Sequence, residues 1–245
     1  MLWYKAWCES RVRFLASAGA MALICASFVF FYRDASSGMS DEPLSYSAYL
    51  WRITYKGYLR ELFLLITIFL GLGGLTRERD LRTVGFTLAL PVSRIRMVVT
   101  RAAMGVTEVA LLATVPAILF PALSPFVQQT YPPSLAWGFA ILWASVGALT
   151  YAIGLLASVL FGGEFTAPVA ACFGLFGYSL LADMSAAQPY LIEIHDVMSG
   201  MDMPYFTQRT GMLTGPLPWS TLLVISLGTA ALIGIGVFVT NRQDF

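Results

Sequence analysis

Charge is scarce in this chain. Of its 245 residues only 12% are charged, 58% are hydrophobic, and the mean hydropathy is +0.72. A soluble domain carries roughly 25% charged residues, so most of this chain has no water to face. Lysine is scarcer still, with Lys5 and Lys56 alone. Neither stands in the G-x-x-x-x-G-K-[ST] pattern that cradles nucleotide phosphates, which excludes ATP binding through a P-loop of the chain's own. His195 is the single histidine. A haem held by two histidines of this chain is therefore excluded, and a histidine-built metal cluster nearly so. There is no H-E-x-x-H, and a Ser-His-Asp array would hang on that one residue. The three cysteines, Cys8, Cys25 and Cys172, form no C-x-x-C pair, and two of them fall in apolar runs. That argues against a disulfide framework or a zinc site. We expect no metal site, no cofactor and no enzymatic activity in this chain.

What the chain has instead is long apolar runs. A helix needs about 20 apolar residues to cross a bilayer core of roughly 30 Å. Six candidate spans meet or approach this, at residues 14–31, 57–75, 102–120, 135–161, 165–182 and 220–239. The first, third, fourth and sixth are the clearest. The second carries Arg60 and Glu61 near its start, and the fifth is short and bounded by the turn at Gly162, Gly163 and Glu164. The expected fold is an all-α membrane protein forming one domain over residues 1–245. Residues 2–13, with Trp3 and Trp7, read as an amphipathic interfacial helix ahead of an uncleaved first span. Gly71, Gly73 and Gly74 have no strand before them and point to close helix packing.

The basic residues set the orientation. With the N-terminus inside, ten of the fifteen Lys and Arg fall in inner segments and five in outer ones. That bias puts both termini in the cytoplasm. The outer residues Arg52, Lys56 and Arg60 recur at spacing four, as if on one helical stripe of an amphipathic lead-in helix. The longer outer segment, 183–219, carries Glu193, His195, Asp196 and several methionines, and is expected to be partly helical and partly embedded. Two carboxylates lie within the spans, Glu61 and Glu108. Each is either paired locally, Glu61 with Lys56 or Arg60 and Glu108 with Arg101, or lines a substrate path.

The densest feature is the loop between the second and third spans, which holds Arg77, Arg79, Arg82, Arg94, Arg96 and Arg101. Residues 76–90 read as a helix that Pro91 ends. Leu81, Val84 and Leu88 share one face, and Glu78 stands four residues before Arg82, the favourable order for a helical ion pair. Such a helix either lies among headgroups or docks on a partner.

This loop, with its RERD, LRT and ALPVSR elements, resembles the loop between spans two and three of ABC-2 type transporter permeases, the membrane subunits of type V ATP-binding-cassette exporters. Arg82 stands where glycine is common in that family. The N-terminal pattern of Trp3, Lys5, Trp7, Glu9 and Arg11 resembles the family's connecting helix, and the ending Asn241 to Phe245 its usual C-terminus. The resemblance implies a multi-pass inner-membrane permease half. Its partners would be a second permease copy or a sister chain, membrane lipid, and two cytoplasmic ABC ATPase subunits that supply ATP and magnesium chemistry; no nucleic acid is implied. It further implies that Glu78, Arg79, Asp80, Leu81, Arg82, Thr83, Val84 and Leu88 couple to the ATPase, and that short re-entrant outer helices lie between spans five and six. Two other readings stay open: a carrier driven by an ion gradient, and a non-transporting membrane scaffold for a cytoplasmic partner.

Overall fold

The computed structural model describes residues 2–32, 45–72, 93–161, 166–184 and 217–242. Among these residues every regular element is a helix, with no strand. The long helices are α1 (Leu2–Phe30), α4 (Arg94–Leu123), α5 (Pro133–Leu160) and α7 (Trp219–Arg242). Between α1 and α4 lie the short α2 (Tyr46–Leu50), a π-helical segment (Trp51–Tyr55) and α3 (Tyr58–Gly71). A 3₁₀ turn, Ser124–Val127, follows α4, and α6 (Thr166–Met184) follows α5.

Among the described residues, four helices are long and apolar enough to cross a membrane, and they are the four whose hydropathy is clearest in the sequence. Of the other two expected spans, the second is shorter. α3 has 14 residues, about 21 Å of rise against a core of roughly 30 Å. The fifth, α6, runs 19 residues from Thr166 to Met184, over the expected 165–182. The expected loop helix 76–90 and nearly all of the outer segment 183–219 lie outside the described residues.

Two expectations are corrected. Residues 2–13 are not a separate element: they are the opening turns of one continuous 29-residue helix. No proline or glycine interrupts that stretch, and its polar residues find partners on other helices, described below. Arg52, Lys56 and Arg60 do not share a helical stripe. Trp51–Tyr55 is π-helical, and the chain breaks at Gly57 (φ −107°, ψ −141°) before α3 starts. The lead-in helix is not amphipathic either, since all five residues of α2 are buried.

Each helix turns a regular apolar face inward. On α1 the buried residues Met21, Cys25 and Val29 recur every fourth position, and on α3 Leu59, Phe63, Ile66 and Leu70 do much the same. α5 is the most enclosed of the long helices and α1 the most peripheral. Close approach at one point is glycine-dependent. A Cβ on Gly71 would sit 2.5 Å from the Tyr151 carbonyl oxygen, and one on Gly154 would sit 2.7 Å from that of Ile68. The backbones of α3 and α5 touch there, so the expectation for Gly71 holds.

The contacts also give the directions of the helices. Ser10 of α1 lies against Glu108 of α4, and Tyr46, which packs on Tyr32, bonds Ser124 beyond the end of α4. α1 and α4 thus run parallel. α3 and α5 run the other way, with Tyr55 stacked on Phe139 at 4.0 Å, Phe63 on Trp143 at 4.7 Å, and Gly71 against Tyr151. One end of the bundle is a packed aromatic cluster built from Tyr32, Tyr46, Tyr49, Tyr55, Phe120 and Tyr131. The opposite, basic end holds the start of α1, the end of α3 and the start of α4.

Candidate functional site at the basic end of the bundle

Glu9, Ser10 and Arg13 fall at helical spacings of three and four about the small Ala6, so they form one polar stripe on α1. This stripe meets α3 and α4 near the two points where the chain leaves and re-enters the described bundle. Arg13 Nη1 donates to the carbonyl oxygens of Leu72 at 3.0 Å and Phe69 at 3.3 Å. The last carbonyls of a helix have no partner within it and carry the negative end of its dipole, so a guanidinium there both satisfies and neutralises them. One turn earlier on α1, Glu9 Oε2 accepts from Arg101 Nη1 of α4 at 3.4 Å, and Lys5 Nζ lies 3.6 Å from Glu9 Oε1. The Glu9 and Arg101 side chains are about a third and a fifth exposed, so the pair is worth at most about 1 kcal/mol.

Deeper in, Glu108 of α4 is 1% exposed. Its carboxylate oxygen Oε1 is in hydrogen-bond contact with Ser10 Oγ, across 98 residues of sequence. Tyr151 of α5, equally buried, donates its hydroxyl to the Arg101 carbonyl oxygen at 3.2 Å. Gly105 leaves room for that phenol, since a Cβ there would overlap the ring. These groups border a cavity of about 20 Å³ lined by Ser10, Leu70, Arg101, Gly105, Glu108 and Tyr151, which is room for about one water.

The two span carboxylates therefore have opposite surroundings. Glu61 sits in the first turn of α3, is 60% exposed, and pairs with Arg60, one of the two local partners expected for it. Glu108 is not paired with Arg101, which turns to Glu9 instead. The expected coupling residues Glu78, Arg79, Asp80, Leu81, Arg82, Thr83, Val84 and Leu88 lie outside the described residues, as does the segment around His195. Sequence reasoning did not assign Ser10, Arg13 and Tyr151 to this cluster. The stripe at positions 6, 9, 10 and 13 was the available signal for the first two, while Tyr151 sits in an apolar run with no mark of its role. No protein-family model and no curated protein matches this chain.

Proposed function

We propose that the chain is a permease subunit of an ABC transporter of the ABC-2 type, working as an exporter. With a second permease chain, identical or sister, it forms a substrate path through the inner membrane, with both termini cytoplasmic. Two cytoplasmic ATPase subunits supply the P-loop that this chain lacks and the ATP and magnesium chemistry that goes with it.

The observation that carries this reading is the grip of α1 on both flanks of the basic segment. Arg13 holds the end of α3 and Glu9 holds the start of α4. The residues between those flanks contain the amphipathic pattern of Leu81, Val84 and Leu88 with the charges of Glu78, Arg79, Asp80 and Arg82. In the proposal residues 76–90 are the coupling helix. Its apolar face fills a groove on the ATPase and its charges set register. Closure of the ATPase dimer on ATP moves this helix as a rigid body, and α3, α4 and α1 move with it. The six spans of the resemblance, and the short outer helices between the fifth and sixth, belong to the same proposal. So does a path role for Glu61, which is exposed, and for Glu108 on an inner stretch of α4.

The test is co-expression with a candidate ATPase encoded beside it. The complex is expected to co-purify from detergent. Replacing Leu81, Val84 and Leu88 together with aspartate is expected to abolish co-purification while leaving membrane insertion intact. Unchanged co-purification would refute the coupling role. One observation favours the second reading, a carrier driven by an ion gradient: Glu108 is a carboxyl group buried within a long apolar helix, and such groups often mark ion pathways. Flux that requires ATP separates the two.

A further inference from the structure

We propose that the cavity between α1, α4 and α5 is the binding site of a single water molecule, which bridges the Glu108 carboxyl group to the Arg101 guanidinium. The inference stands whether or not the chain is a permease.

The groups that line the cavity lead to it. Glu108 is 1% exposed and has one bond, between its Oε1 and Ser10, while its second carboxyl oxygen has no partner among the described residues. A buried acceptor in that state is costly. Arg101 lines the same cavity, yet no ion pair joins it to Glu108 among the described residues. A guanidinium has five N–H donors and no acceptor, and the contact to Glu9 at 3.4 Å uses one of them. Tyr151 gives its only hydroxyl proton to the Arg101 carbonyl oxygen at 3.2 Å, so toward the cavity its oxygen can only accept.

One space is thus faced by a group that only donates and by two oxygens that accept. A water is the complement of that set. It accepts from Arg101 and donates to Glu108 and Tyr151, and three bonds is the usual number for a buried water. The size agrees. The cavity holds about 20 Å³, against the roughly 10–15 Å³ that one water needs. A polar pair beyond direct reach that shares such a space is joined through water, at nearly the enthalpy of a direct bond.

The bridge gives Arg101 two carboxyl partners, Glu9 of α1 directly and Glu108 of its own helix through the water, and Tyr151 brings α5 to the same point. A cation thereby serves a buried carboxyl group while its own side chain stays 21% exposed, which avoids the desolvation cost of a fully buried ion pair.

The experiment is water-edited solid-state NMR of the full chain in lipid bilayers, with carbon-13 at the tyrosine Cζ positions. Loss of one signal in Tyr151→Phe assigns Tyr151. In the wild type that buried residue is expected to receive magnetisation from water, and Ala6→Val, which adds two methyl groups at the cavity wall, is expected to lose the transfer. A wild type without transfer to Tyr151 overturns the proposal, and so does transfer that Ala6→Val leaves unchanged. The bridge itself is read from unfolding midpoints in denaturant. Arg101→Leu should shift the midpoint less in a Glu108→Met background than in the wild type, and the difference should vanish in Ala6→Val. Equal shifts in the two backgrounds, or a difference that survives Ala6→Val, overturn the bridge. Where Ala6→Val fails to fold, the wild-type spectrum and the Arg101 and Glu108 variants decide.

Discussion

Gly71→Ala adds one methyl group where α3 and α5 touch backbone to backbone. The new Cβ would lie 2.5 Å from the Tyr151 carbonyl oxygen and 2.9 Å from the Leu155 nitrogen. A comfortable separation is about 3.5 Å, so the helices must part by about 1 Å. No rotamer relieves this, because both opposing atoms are main chain. Parting them stretches the Thr67–Thr150 hydroxyl bond, now 2.6 Å, beyond hydrogen-bond length, at about 0.5–1.5 kcal/mol. Two protons serve three contacts here; once the helices part, each hydroxyl can donate to the carbonyl of its own helix, 2.8 and 3.0 Å away, so neither is orphaned. The same gap loosens the stack of Phe63 on Trp143. Overpacking a tight contact costs about 1–3 kcal/mol, which with the strained hydroxyl bond gives a loss of about 1.5–4.5 kcal/mol. Gly19→Ala is the control: nothing lies within 4 Å of its Cβ position, and the change should be neutral or stabilise by up to about 1 kcal/mol through helix propensity. Equilibrium unfolding in mixed micelles compares the two variants with wild type. Equal stability of Gly71→Ala and Gly19→Ala would refute the backbone contact between α3 and α5.

Other variants probe the basic end. Glu9→Gln and Arg101→Leu, taken singly and together in a double-mutant cycle, should show a coupling of about 0.2–1 kcal/mol that shrinks in high salt; a coupling insensitive to salt would mean the pair is more enclosed than its exposure indicates. Arg13→Leu should uncap the end of α3, so amide exchange at Leu72, whose N–H now bonds the Ile68 carbonyl at 3.1 Å, should speed up while exchange at the middle of α5 stays unchanged. Equal protection in variant and wild type would place the Arg13 contact outside the energetics of that helix end.

The parts of the fold legible in the sequence are those that one physical term decides. Hydropathy alone marks α1, α4, α5 and α7, because only a long apolar run can cross a membrane unaided. Close packing at Gly71 was legible because a glycine in a span has few other uses. The failures share a different cause. The polar stripe of α1 reads as facing headgroups, since periodicity shows that one face is polar without showing what it meets. Here it meets a carboxyl group, a guanidinium and the end of a helix. The π-helical turn at Trp51–Tyr55 was not legible, because its spacing depends on tertiary packing; the aromatic stack of Tyr55 on Phe139 lies in that packing. A spacing of four therefore misplaced Arg52, Lys56 and Arg60.

The polar contacts at the basic end differ in what they demand, and this difference matters more than their number. The Glu9–Arg101 pair is partly exposed, joins two long flexible side chains and can re-form in many geometries. The Arg13 contacts are directional but bind main-chain oxygens, which move only with α3 itself. The Ser10–Glu108 bond is part-buried and links the two helices at short reach, so sliding α1 along α4 breaks it. A break would leave the Glu108 carboxyl, 1% exposed, without that hydrogen bond, which is costly whether or not it is charged. α1 is therefore fixed to α4 by its deepest contact and follows α3 through its Arg13 contacts. Any force that moves the ends of α3 and α4 together will carry α1 with them, and any force that moves them apart must break either the Arg13 contacts to α3 or the Glu9 and Ser10 contacts to α4.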